Sequence, residues 1–207
     1  MSILQHEPRR PASGEGPILA RLSEVGYEVG SLADLRHSGI RYRDAIPILI
    51  GSLSQTQDTR TLEQVVRALS VPWAKPQATA PLIDLFHRIE DPNPLGLRWT
   101  VGNALDITWD DAHFNELVAL ARDRQYGRAR EMIVLGMARS KHPGVGGVLV
   151  GLLSDPDVNG HAVTALRKLL RKVHIPTARP GLERMIGDKR AWVRKEAQRA
   201  LAEMGET

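Results

Sequence analysis

The segment that decides the fold lies near the carboxyl end, where residues 188–201 read DKRAWVRKEAQRAL. Its apolar residues Val193, Ala197 and Leu201 recur at four-residue steps, the spacing of one face of an α-helix. The segment ends in a small residue followed by a large one, Ala200 and Leu201. A small side chain beside a large one suits close helix packing, so the pattern predicts a tightly packed inner helix.

The same small–large ending occurs four times upstream, each time after a first apolar helical segment and a break. The first segments align on one apolar position, at intervals of 34, 34, 32 and 33 residues. The aligned positions are Leu49, Ile83, Leu117, Leu149 and Leu182, and the endings are Ala68-Leu69, Ala104-Leu105, Gly136-Met137, Ala165-Leu166 and Ala200-Leu201. This period predicts five helix pairs, at about residues 44–74, 78–109, 112–141, 144–174 and 177–205.

The domain organisation follows from this period. Residues 1–16 contain prolines, glycines and arginines and lack the apolar stretch of a secretory signal, so they predict a flexible tail. Two short helical patterns in residues 17–43 predict an N-terminal cap over the first pair. The repeat domain is predicted to occupy residues 44–207. No segment alternates with a period of two, so the prediction is all-α.

The repeat resembles the HEAT repeat over roughly residues 44–205. Val193, Arg194, Ala197, Ala200 and Leu201 stand on the typical positions of the second HEAT helix. The chain is similar to bacterial HEAT-repeat proteins, including the group named after phycobilisome lyases. This resemblance implies a right-handed, armadillo-like α-solenoid. The fourth repeat departs from the pattern, with Asn159 at the position of the recurrent arginine.

Aspartates in the turns stand six or seven residues before arginines of the second helices. The pairs are Asp91 and Arg98, Asp123 and Arg130, and Asp188 and Arg194. The HEAT resemblance implies that these positions form an internal ladder, in which each arginine bonds turn carbonyls and carboxylates. We therefore expect structural, mostly buried arginines; the alternative is a phosphate-binding row.

Superposing the repeats also identifies second-helix positions that point away from the core. These would line the concave surface of a solenoid: Arg67, Trp99, Asn103, Glu131, Leu135, Lys195 and Arg199. An exposed tryptophan is a common recognition anchor, so Trp99 is the central candidate. Trp73, Trp109 and Trp192 lie near helix ends and are expected to pack against the core.

Composition narrows the function classes. The 207 residues include no cysteine, which excludes disulfides and thiolate catalysis and favours a cytoplasmic location. The apolar runs are too short to cross a bilayer. None of the seven histidines has the helical spacing with acids that a metal site requires, and neither a metal nor a cofactor is predicted. The net charge is +4, yet residues 167–199 hold eleven basic and three acidic residues.

Two functions compete. The first is a non-catalytic scaffold that binds a protein or peptide on the concave face, where Glu131 would oppose a uniform phosphate backbone. The alternative is nucleic-acid binding through the basic C-terminal repeats, or activity like that of HEAT-like alkylpurine DNA glycosylases. In that family an acid follows a groove tryptophan by about one turn. Here Asn103 holds that position, and Asp106 lies two turns after Trp99.

Overall fold

The computed structural model describes residues 14–93 and 95–205, and every regular element in that part of the chain is a helix. The all-α prediction is therefore confirmed for the described residues. Most of the predicted tail, residues 1–13, lies outside them. The helices are α1 (Gly16–Glu24), α2 (Leu32–His37), α3 (Ile46–Gln55), α4 (Thr59–Leu69), α5 (Thr79–Arg88), α6 (Leu97–Ile107), α7 (Phe114–Arg122), α8 (Glu131–Gly136), α9 (Val145–Leu152), α10 (Asn159–Leu170), α11 (Arg179–Met185) and α12 (Ala191–Gly205).

Helix α4 illustrates how local sequence sets a boundary. Asp58 precedes the helix, and its carboxylate accepts hydrogen bonds from the Thr61 backbone N–H at 2.8 Å and the Thr61 hydroxyl at 2.6 Å. These bonds satisfy a donor at the open end of the helix and lower the pKa of Asp58. Within the helix Val65 and Leu69 are buried while Arg67 is exposed, so one face packs and the other meets solvent.

The helices from α3 onward pack in five pairs in chain order: α3 with α4, α5 with α6, and so on to α11 with α12. Each even-numbered helix from α4 also contacts the next even-numbered one, up to α10 against α12. We call α4, α6, α8, α10 and α12 the second helices, and their outward surface the second-helix face. At the amino end, α1 packs on α3 and α2 packs on α4.

The aligned apolar positions of the repeat all lie in the core. Leu49, Ile83, Leu117, Leu149 and Leu182 are buried. Among the small residues of the endings, Gly136 has a visible reason. A Cβ placed on it would lie 2.9 Å from the Asp106 Cα and 3.1 Å from the Trp109 ring, so the absence of a side chain allows α8 to approach α6.

The amino-terminal helices are joined by a buried carboxylate. Glu15 lies within the segment predicted as a tail, but its side chain accepts a hydrogen bond of 2.9 Å from the Leu32 backbone N–H at the start of α2. Glu15 therefore links the beginnings of α1 and α2. None of the helices in the described ranges is both long and apolar enough to cross a membrane.

Candidate functional site

The second-helix face carries three adjoining depressions. The first has a volume of about 970 Å³ and lies beside α4, α6 and the turns that precede them. Arg67 and Trp99 line both this depression and the second, of about 520 Å³. Asp106 lines both the second and the third, of about 480 Å³. We call the first two depressions together the groove; their lining mixes apolar and charged groups.

The first depression combines apolar side chains with acids. Leu62, Leu95 and Leu97 supply apolar surface, and the side chain of Leu95 is 44% exposed. The acids in its lining are Glu63, Glu90 and Asp91, and the cations are Arg67 and Arg88. Concave surfaces with apolar walls and a few polar groups are typical of ligand sites.

Trp99 lies at the boundary of the two depressions of the groove. Its ring is half-buried, and its Nε1 donates a hydrogen bond of 3.2 Å to Oε2 of Glu131. The other oxygen, Oε1, accepts from Arg128 Nε at 2.8 Å. The Asn103 amide nitrogen donates to the Trp99 carbonyl at 3.0 Å. The indole of Trp99 is thus fixed to α8 through Glu131, while Asn103 bonds the Trp99 backbone.

The outward position predicted for Glu131 is wrong, because the residue is only 6% exposed. A 3₁₀ segment, Arg124–Arg130, precedes α8, so Glu131 is the first residue of a short α-helix. Its two carboxylate oxygens accept from Trp99 of α6 and from Arg128 of the preceding turn, and these two side chains cover it.

The remaining predicted binding residues are divided between regions. Arg67 is exposed and forms an ion pair with Glu63 at 2.6 Å, beside Trp99 and Asn103 in the second depression. Leu135 is half-buried and lines the third depression. Lys195 and Arg199 are exposed on α12 and line none of the three depressions. The structure therefore brings Arg67, Trp99 and Asn103 together, and the rest lie apart from them.

A separate cleft of about 580 Å³ surrounds Trp192, and the sequence did not indicate it. Trp192 was expected to pack near a helix end, but 45% of its surface is exposed. His161 meets it edge-on at 5.7 Å between ring centroids, and the Arg190 guanidinium lies 5.7 Å from its ring. A Cβ on Gly160 would come within 2.4 Å of the indole, so Gly160 makes room for the ring.

The electrostatics of this cleft act on His161. Burial lowers the pKa of His161, and the positive charges of Arg128 and Arg190 lower it further, against the opposing influence of Glu131. His161 therefore favours the neutral form. The repeat period could not reveal the cleft, because it does not fix the direction of a side chain at a helix end such as Trp192.

Arg130 is the most deeply buried of the ladder arginines, with a side-chain exposure of 0%. It donates to the Ala121 carbonyl at 3.0 Å and to the Asp155 carboxylate at 2.9 Å. Burial alone would raise the pKa of Asp155, but hydrogen bonding and the charge of Arg130 hold that pKa below its usual value. Asp123, the expected partner, caps its own turn by accepting from the Gln125 backbone N–H. The ion pair therefore joins the third helix pair to the fourth.

The other two ladder pairs make contacts of a different kind. Asp91 accepts from the backbone N–H of Arg98 at 2.9 Å, while the Arg98 side chain donates to the carbonyls of Phe86 and Ile89. The Arg98 guanidinium also lies 5.0 Å from the centre of the Tyr126 ring. These bonds fix the turn between α5 and α6.

In the last pair Arg194 donates to the Asp188 carbonyl at 2.8 Å, not to its carboxylate. The carboxylate instead bonds Arg190, whose hydrogen bonds lower the pKa of Asp188 to about 2. The three recurring arginines therefore share hydrogen bonds to backbone carbonyls near the turns. Their carboxylate partners differ from one helix pair to the next.

The described residues contain no group of three His, Asp or Glu side chains close enough to hold a metal ion. Asp106, the acid considered for glycosylase chemistry, is buried and forms an ion pair of 2.8 Å with Arg139. The chain matches no protein-family model, and no curated protein is detectably similar to it. The site must therefore be interpreted from its own geometry.

Proposed function

We propose that this chain is a non-catalytic binding module, a right-handed α-solenoid of five HEAT-like helix pairs. The order of the helix contacts supports this architecture, because each second helix packs against the next along the chain. In such a solenoid the second-helix face is the concave surface. Its function is to hold an extended segment of a partner protein in the groove.

The continuity of the groove carries this proposal. Its lining begins at the α3–α4 turn, passes Trp99 and Asn103 on α6, and reaches Met132 on α8. Neighbouring helices pack about 8–10 Å apart, so the groove crosses roughly 16–20 Å. An extended chain advances about 3.3 Å per residue, and five or six residues would fill that length.

The chemistry of the first depression favours a peptide over a nucleic acid. Leu62 and Leu95 offer apolar contacts, and Glu90 and Asp91, which pair with no cation among the described residues, would repel a phosphate backbone laid along the groove. Base excision at Asp106 is not proposed, because that carboxylate is already neutralised by Arg139. The cations that would suit a nucleic acid lie outside the groove.

This proposal can be tested by selecting peptides from a random library against the immobilised protein. Leu95→Ser should weaken the selected peptides about tenfold or more in fluorescence polarisation, since burial of an exposed leucine side chain against a ligand contributes about 1.5 kcal/mol or more. Ile40→Ser is the matched control, because Ile40 is a similarly exposed apolar residue that lines none of the depressions. Equal affinities for wild type and Leu95→Ser would reject the groove as the binding site.

A further inference from the structure

The third depression differs from the groove in its charge. Four cationic side chains line it, together with one carboxylate, that of Asp106, and two apolar residues. The cations are Arg139, in the 3₁₀ turn that follows α8, Lys168 in the last turn of α10, and Arg171 and Lys172 directly after α10. We call these four residues the basic site.

The cations of the basic site are only partly neutralised within the described residues. Arg139 and Arg171 each bind a carboxylate through Nε, at 2.8 Å from Asp106 and 2.8 Å from Glu203 respectively. Both side chains are about half exposed, and their terminal nitrogens make no hydrogen bond to the described part of the chain. Carboxylates on the Nε side hold each guanidinium in place while its outer donors face solvent.

The two lysines have no acidic partner among residues 14–93 and 95–205. Lys168 and Lys172 are both exposed, and with Arg171 they stand at helical spacings of three and four residues. Like charges at these spacings repel one another. The carbonyl end of α10 offsets part of this repulsion, and a bound anion would relieve the rest.

We infer that the basic site binds the phosphate backbone of a nucleic acid without reading its sequence. Leu135 and Ala138 supply the only apolar lining, so the site offers charge and few contacts that could distinguish side chains or bases. This inference goes beyond the peptide binding proposed for the groove and does not depend on it.

The spread of positive charge favours a nucleic acid over an acidic peptide. Exposed cations continue onto the next second helix, where Lys195 and Arg199 lie on α12. Three neighbouring second helices span roughly 16–20 Å. Duplex DNA presents one charge per about 1.7 Å of axis, or about ten phosphates over that distance.

The test measures binding of a fluorescein-labelled 20-base-pair DNA duplex between about 50 and 200 mM NaCl. Four neutralised phosphates give a slope of about −3.6 in log K against log salt, a loss of about 150-fold over this range. The double variant Lys168→Gln/Lys172→Gln should reduce the slope to about −1.8 and the loss to about 12-fold. Lys168→Arg/Lys172→Arg should keep the wild-type slope.

The matched control is Lys75→Gln/Arg122→Gln, which removes the same charge from two exposed residues away from the basic site. It should leave the slope unchanged, and Leu95→Ser should also bind DNA normally. Absence of duplex binding at the lowest salt, or an equal change of slope in the control variant, would overturn the inference. Tighter binding of a labelled 20-residue polyglutamate peptide than of the duplex would overturn it in favour of an acidic protein partner.

Discussion

The indole Nε1 of Trp99 donates a hydrogen bond to Glu131 that ties second helices α6 and α8 together beneath the groove. The acceptor is buried and ion-paired with Arg128, so both of its oxygens are occupied. Trp99 is therefore both part of the groove surface and a structural link. Its removal would affect binding and stability together, which is why Leu95 is the better probe of binding.

Replacement of Trp99 by phenylalanine should show the structural part of this role. The ring would be retained, but one oxygen of a buried carboxylate would lose its donor, so we expect a loss of about 1.5 kcal/mol in the free energy of unfolding. Urea denaturation measures the change. Trp192→Phe serves as the control, because the exposed Trp192 indole makes no hydrogen bond within the described residues, and it should cost at most about 0.5 kcal/mol. A Trp99→Phe protein as stable as wild type would contradict the role of this bond.

Replacement of Arg130 by methionine should be among the most destabilising changes in the chain. It would leave the buried Asp155 carboxylate paired only with the exposed Arg124, 3.5 Å away, and loss of the buried partner of such a charge typically costs about 3–5 kcal/mol. Equilibrium unfolding in urea would report the change, with Arg122→Met as the matched control at an exposed position. A cost below about 1 kcal/mol would contradict the structural role of the Arg130–Asp155 ion pair.

Alanine substitutions at two helical glycines should have opposite effects. Gly136→Ala would force a Cβ against the backbone of Asp106, and overpacking of this kind costs about 1–3 kcal/mol. Gly147→Ala, in α9, meets no atom within 4 Å and should stabilise the protein by about 0.5–1 kcal/mol through helix propensity. Thermal melts of the two variants would distinguish the overpacking at Gly136 from the gain in helix propensity at Gly147. The close approach of α6 and α8 would be disproved if Gly136→Ala melted at or above the wild-type temperature.

His161 should make stability depend on pH in the mildly acidic range. Its pKa is lowered in the folded chain from an ordinary value of 6.5, so the unfolded chain takes up the proton first as the pH falls. The stability associated with neutral His161 is complete above pH 6.5 and is lost as the pH falls toward the folded pKa. Unfolding free energies from about pH 8 to 5.5 should decline less in His161→Gln than in wild type. The same substitution at the exposed His174 should leave the wild-type decline in place, and identical pH profiles for His161→Gln and wild type would contradict the prediction.

The sequence determined the helical class and the core positions, because apolar residues recur at the repeat interval and the residues at these positions are buried. Leu49, Leu117 and Leu182 are apolar at a fixed interval, and each is buried for the same reason. The resemblance to HEAT repeats implied that Arg98, Arg130 and Arg194 bond turn carbonyls, and each of them does. Trp99 was predicted to be partly exposed on a second helix, and it is half-buried on α6.

What only the tertiary structure decided is which groups meet between repeats. Arg130 bonds Asp155 of the next pair because the turn of that pair approaches it, and no spacing within one repeat encodes that distance. Glu131 is buried because Trp99 of the preceding second helix and Arg128 of the preceding turn cover its carboxylate, and the helical period of its own repeat does not encode these neighbours. Periodic sequence patterns determine which face of a helix is buried. Contacts between neighbouring repeats depend on the backbone geometry of the turns, and that geometry is not periodic in the sequence.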